Sequence, residues 1–120
     1  MHLVLVVDDN EEFAADLVTL LEMRGFAARA KGDVRQALDL LDDDPSISVV
    51  VSDVRMPAVD GLDFARVLRH RFPKLPVILM TGAPINKDDV LPRGVLILEK
   101  PFATTQLVDA INACLVDSTQ

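Results

Sequence analysis

Four short apolar runs constrain the fold of this chain more than anything else in it. They are Leu3-Val4-Leu5-Val6-Val7, Val49-Val50-Val51, Val77-Ile78-Leu79-Met80 and Val95-Leu96-Ile97-Leu98. None alternates apolar with polar residues, as a strand with one wet face would. A continuous valine-rich run bounded by polar residues is instead the pattern of a strand buried on both faces, as in a parallel sheet covered by helices. Phe26-Ala27-Ala28-Arg29-Ala30 is a weaker run and is expected at a sheet edge.

Between the runs the apolar period changes to that of a helix. Phe13, Leu17, Leu20 and Leu21 fit one helical face, Val34, Ala37, Leu38 and Leu41 a second. Phe64, Ala65, Leu68 and Phe72 fit a third, and Leu107, Ile111 and Leu115 a fourth. Gly25 stands where a helix C-terminus would end. Arg69, His70 and Arg71 close the third helix, where positive charge suits the helix dipole. Residues 83–93 break the pattern: Pro84 and Pro92 bracket the polar Asn86-Lys87-Asp88-Asp89. Only a short or irregular helix is expected there, the fourth of five. The order is therefore strand then helix, repeated, which predicts an α/β fold with a parallel sheet and helices on both faces. A chain of 120 residues suits one domain, spanning residues 1–120.

Charge narrows the class of partner. The chain has 19 acidic and 12 basic side chains, for a net charge of −7. That argues against direct nucleic-acid binding and against attraction to an anionic membrane surface. It suits a cation or a basic partner. One cysteine, Cys114, excludes an internal disulfide, and its helical spacing to Leu107, Ile111 and Leu115 predicts a small buried hydrophobe. No run approaches the ~20 apolar residues of a membrane helix, and Met1-His2-Leu3 does not open a signal peptide. A cytoplasmic protein is expected.

Right-handed crossovers send the C-terminal end of every strand to one edge of the sheet, where ligands bind in such folds. After the first run stand Asp8 and Asp9; after the third strand, Asp53; after the fourth, Thr81; after the fifth, Lys100 and Pro101. Each has an ordinary local explanation. Asp9 with Glu12 forms a D-x-x-E helix-capping pattern. Asp53 fits a turn, and Thr81-Gly82 and Lys100-Pro101 fit surface loops. What the local explanations do not address is why three carboxylates, a hydroxyl and an ammonium meet at one edge. Clustered carboxylates repel unless one is protonated or a cation sits among them. All-oxygen donors without His or Cys favour Mg²⁺ over zinc. A carboxylate beside Mg²⁺ is a nucleophile toward phosphorus, Lys100 offers charge to phosphoryl oxygens, Thr81 offers a donor, and Gly82 leaves room.

Val6-Val7-Asp8-Asp9-Asn10, Ser52-Asp53-Val54-Arg55-Met56-Pro57, Asp60-Gly61, Thr81-Gly82 and Lys100-Pro101-Phe102, in this order and spacing, resemble the receiver domain of two-component response regulators. The resemblance covers essentially the whole chain. It implies the doubly wound, flavodoxin-like (βα)5 fold with strand order 2-1-3-4-5. It implies that Asp53 is the phosphoacceptor and that Asp8, Asp9, Asp53 and the backbone carbonyl of Arg55 hold Mg²⁺, Asp8 through water. Thr81 and Lys100 would contact the phosphoryl group, and the bond before Pro101 would be cis. Met56-Pro57 and Gly61 would shape the loop after the acceptor. The implied partners are a histidine kinase or histidine phosphotransfer protein and an attached or separate output domain.

Two features depart from the family. Ile97 stands three residues before Lys100, where an aromatic is common, and the chain contains no Tyr or Trp. Residues 83–93 form a shortened segment on the face that usually carries the output, and they are expected to transmit the signal. Arg55 offers either its carbonyl alone or a side chain that controls water access to the phosphoryl group. His2 is expected at the surface, and Phe13, Phe26, Phe64, Phe72 and Phe102 in the core. Two rival functions remain at this level. An Mg²⁺-dependent phosphatase with an aspartyl intermediate would share the chemistry, but no D-x-D-x-T loop is present. An interaction module of the same fold would use the surface without taking phosphate.

Overall fold

In a computed structural model of the chain, which describes residues 2–56, 59–83 and 91–118, five strands and four helices follow one another. They are β1 (Leu3–Val7), α1 (Glu11–Met23), β2 (Ala27–Lys31), α2 (Val34–Asp43), β3 (Ile47–Asp53), α3 (Gly61–Arg71), β4 (Val77–Thr81), β5 (Val95–Glu99) and α4 (Thr104–Ser118). The strands form one sheet in the order β2-β1-β3-β4-β5, and every pairing is parallel. The expected order is therefore the observed one, and the weak β2 lies at an edge. Arg29 and Lys31 on that edge strand discourage pairing with another sheet.

The continuous apolar runs are explained by the two layers of helices. Val4, Val6, Val49, Val51, Ile78 and Met80 face α1 and α4, where Leu17, Leu21, Leu107 and Ile111 complete one core. Leu5, Val7, Val50, Val77 and Leu79 point the other way and meet Ala37, Leu41, Phe64 and Leu68 of α2 and α3. Both faces of the central strands are dry, so alternation has no polar residue to select.

Helix ends follow side-chain chemistry. Asn10 caps α1, its side chain accepting the N–H of Phe13 at 3.0 Å. Asp33 caps α2 through Gln36, at 2.8 Å, and Asp60 caps α3 through Leu62, at 2.7 Å. Gly25 follows α1 at φ +90, a conformation that favours glycine. The basic Arg69, His70 and Arg71 lie in the last turn of α3, as expected.

Three expectations change in detail. Leu20 lies outside the core, 37% exposed: the buried stripe of α1 runs through Ala14, Leu17 and Leu21, and Leu20 sits on its flank. Phe72 lies one residue past α3, as its C-cap, and is half-buried against the α2/α3 core. β3 is longer than its valine core. It starts at Ile47 and includes Ser52, which is fully buried; its hydroxyl donates to the carbonyl of Asp53 at 3.0 Å. The short or irregular helix expected within residues 83–93 lies mostly on residues 84–90, outside the described residues; 83 and 91–93 are not helical.

Two contacts fix the loops at opposite ends of the sheet. At the N-terminal end of β5, Gly94 has φ +86, and a Cβ there would lie 2.7 Å from Cζ of Arg69. The Arg69 guanidinium donates to the carbonyl of Leu75 at 2.5 Å. At the other end, Gly61 opens α3 directly against the loop that follows β3. Its N–H donates to the carbonyl of Val54 at 2.8 Å, and a Cβ on it would fall 2.5 Å from Cα of Val54 and 2.8 Å from the carbonyl oxygen of Asp53. Neither backbone atom can rotate away. Gly61→Ala is therefore expected to destabilise the domain by about 1–3 kcal/mol, read as a lower urea midpoint at unchanged slope.

Candidate functional site

The C-terminal ends of β1, β3, β4 and β5 bring together most of the residues named from the sequence. Asp8 directly follows β1, Asp53 ends β3, Thr81 ends β4, and Lys100 directly follows β5. Carboxylate oxygens of Asp8, Asp9 and Asp53 lie within 4.8 Å of one another. The ammonium of Lys100 lies 3.7 Å from Oδ1 of Asp53. Asp53 thus stands between an acidic wall and a cation. The Lys100–Pro101 peptide is cis, as expected.

Asp8 is the buried member, 2% exposed. Its Oδ1 accepts the N–H of Asn10 at 2.9 Å, whereas its Oδ2 is buried without a hydrogen-bond partner. Burial raises the Asp8 pKa above the ordinary 3.8, and nearby Asp53 and Asp9 push the same way; the Asn10 N–H and Lys100 oppose the rise. An oxygen that has lost water without gaining a donor is costly. Here it faces two more carboxylates. A hard divalent cation fits that environment: it supplies the missing partner and offsets the repulsion, and the donors are all oxygen. Asp9 is exposed. It does not cap α1, because Asn10 does, so its carboxylate belongs to the acidic cluster.

Arg55 is exposed, and its N–H donates to Oδ1 of Asp53 at 3.3 Å. Arg55 also forms an isolated antiparallel bridge with Asp60, which closes the loop after Asp53 onto the cap of α3. Met56 is half-buried in that loop, and Pro57 lies outside the described residues.

Thr81 is 5% exposed, but its hydroxyl is not bonded to the acidic cluster. It donates to the carbonyl of Ala83 and accepts the N–H of the same residue at 3.2 Å. The backbone of Lys100 is tied to Thr81 in the sheet direction, N–H to carbonyl, at 2.7 Å. Gly82 is exposed, and among the described residues a Cβ there would meet nothing within 4 Å. Ile97 pairs with Leu79 in the sheet and is half-buried against the α2/α3 core.

Sequence reasoning missed two contributors. Asn10 both caps α1 and donates to Asp8; its position directly after Asp8-Asp9 was the available signal. Phe13, expected in the core, packs only partly there. Its ring also carries the Lys100 ammonium, 4.5 Å from the ring centroid. Nothing in the sequence pairs positions 13 and 100.

The site lies beside a cleft of 510 Å³ lined by Asp8, Asp9, Glu11, Lys31, Asp33 and Gln36. A larger cleft, of 640 Å³, lies at the opposite end of the sheet among Leu41, Ile47, Phe72 and Leu75, away from the acidic cluster.

The sequence model of the response regulator receiver domain matches residues 4–112. The chain belongs to that family. It is 39% identical over 125 residues to the transcriptional regulatory protein CpxR of Escherichia coli K12, covering 96% of this chain and 50% of CpxR. It is 29% identical over 119 residues to the response regulator receiver protein CpdR of Brucella abortus, covering 97% of this chain and 98% of CpdR. The receiver domain thus spans about half the length of CpxR. Among solved structures, a response regulator receiver domain protein from Clostridium thermocellum superposes with a TM-score of 0.91 at 27% identity, covering 99% and 98% of the two chains. The beryllofluoride-activated NtrC4 receiver domain dimer superposes with a TM-score of 0.84 at 28% identity, covering 98% and 99%. The chain is a receiver domain of the two-component response regulators, a signalling domain. No helix among its described residues is long and apolar enough to cross a membrane.

The raised pKa of Asp8 has a definite sign. Just above the ordinary carboxylate value the folded receiver holds a proton that the unfolded chain has released, so stability falls as pH rises through that window. At neutral pH the full cost of the buried charge is present. Asp8→Asn removes the charge and keeps an acceptor for Asn10. Without metal at pH 7 it is expected to raise stability by on the order of 1 kcal/mol, with no gain at a pH below the ordinary range. Urea unfolding at both pH values checks it, and added Mg²⁺ should narrow the gap by stabilising the wild type alone.

Proposed function

We propose that residues 1–120 form a single receiver domain that takes a phosphoryl group onto Asp53 from the phosphohistidine of a histidine kinase or histidine phosphotransfer protein, and thereby switches a partner-binding face. The observation that carries this reading is the position of Asp53, between the Asp8–Asp9 carboxylates and the Lys100 ammonium. A carboxylate in that position is oriented and not neutralised by a direct hydrogen bond to the cation.

An oxygen of Asp53 forms the bond to phosphorus as the phosphorus–nitrogen bond of the donor breaks, and the leaving imidazole nitrogen takes a proton from solvent. Asp8, Asp9, Asp53 and the Arg55 carbonyl would hold Mg²⁺, which neutralises charge on the phosphoryl oxygens. Lys100 meets one of those oxygens. Thr81 meets another after its hydroxyl leaves Ala83. The acylphosphate adds roughly one to two negative charges where three carboxylates already stand, so both donors are drawn inward. The domain catalyses only its own phosphorylation and dephosphorylation.

Because the receiver spans half the length of CpxR, we assign it an attached or separate output domain. Its net charge of −7 argues against direct nucleic-acid contact by the receiver itself. A cytoplasmic location follows from the same reading.

Intact mass after incubation with Mg²⁺ and a small-molecule phosphodonor tests the proposal; the chain has no Tyr or Trp to serve as a fluorescent reporter. A single phosphoryl adduct is expected, absent in Asp53→Ala and when the metal is chelated. No adduct from any donor, together with no Mg²⁺ binding, would leave an interaction module of the same fold.

A further inference from the structure

Lys100 has two neighbours of different kinds. On one side Oδ1 of Asp53 lies 3.7 Å from its ammonium, beyond a hydrogen bond. On the other the ring of Phe13 lies under the same ammonium, 4.5 Å from nitrogen to centroid. The face of an aromatic ring carries negative charge density and attracts a cation at that distance. We propose that Phe13 is a positioning residue for Lys100: its ring seats the ammonium beside Asp53 and presents it to the incoming phosphoryl group. The inference rests on the proposed transfer to Asp53.

The geometry gives the ring this role for three reasons. Lysine has a long flexible stem and a strongly hydrated head, and the Lys100 side chain is 30% exposed, so without a second contact it is free to swing into water. A head that closed fully on Asp53 would occupy the carboxylate that must attack phosphorus. The ring holds it at an intermediate place, near the acceptor without a hydrogen bond to it. The ring is also fixed. Phe13 lies in the first turn of α1, its N–H held by the Asn10 cap at 3.0 Å, and its side chain packs against the α1/α4 core.

The same turn reaches the acidic side of the site. The N–H of Asn10 holds Oδ1 of Asp8 at 2.9 Å. One turn of helix therefore sets both the buried carboxylate and the cation.

Leucine at position 13 would fill the core but offer no π face, and tyrosine would restore one, so the two variants separate packing from cation binding. The Cε methylene protons of Lys100 are expected to be shielded by the ring in the wild type and in Phe13→Tyr, and to return to ordinary lysine shifts in Phe13→Leu. In saturating Mg²⁺, Phe13→Leu should slow phosphorylation by a small-molecule donor about 2–5-fold, with Phe13→Tyr near wild type. In a Lys100→Ala background, Phe13→Leu should cause no further loss. Unshielded Lys100 protons in the wild type, or an equal loss with and without Lys100, would overturn the inference. A wild type that is never phosphorylated sinks the proposed function, and the shielding alone then decides whether the ring holds the ammonium.

Discussion

Repulsion among Asp8, Asp9 and Asp53 is the constraint on which this molecule turns. Their oxygens are held within 4.8 Å, and one oxygen of Asp8 is buried with no hydrogen-bond partner among the described residues. Left to local energetics, these side chains would separate. They stay because each is attached to the end of a strand whose remaining residues are locked in two dry cores. Hydrophobic burial, worth roughly 25 cal/mol per Å² of apolar surface, offsets a cluster that stability alone would not select. The result is a site whose free energy falls on meeting positive charge, which is what a metal-assisted phosphate site requires.

The sheet was legible in the sequence because its strands are buried on both faces. Valine-rich runs without alternation have one ready explanation, and the weak Phe26 to Ala30 run fell at the edge as its composition implied. The site was legible for a related reason. Parallel topology converts "the residue after each strand" into a place, so Asp8, Asp53, Thr81 and Lys100 converge by fold alone.

Harder to read was anything decided by side-chain direction. Asp9 and Asn10 are adjacent potential caps, and the D-x-x-E pattern favoured Asp9. The structure uses Asn10, because its side chain reaches the N–H of Phe13. Leu20 fits a helical period but sits at the flank of a stripe centred on Ala14, Leu17 and Leu21. Thr81 arrives at the right edge with its hydroxyl engaged by Ala83, a rotamer choice that no spacing encodes. Phe13 and Lys100 are 87 positions apart, and only the return of the chain from β5 beside α1 makes them neighbours.

The corner at Gly94 has a consequence for how this chain can vary. The backbone there has φ +86, which disfavours any side chain, and the space a side chain would fill is taken by the Arg69 guanidinium. That guanidinium is held in place by its hydrogen bond to the carbonyl of Leu75. Position 94 is therefore closed twice, once by torsion and once by volume, far from any chemistry. Drift at Arg69 could open the second lock and leave the first. Position 94 thus stays closed to side chains by its torsion even where position 69 has changed.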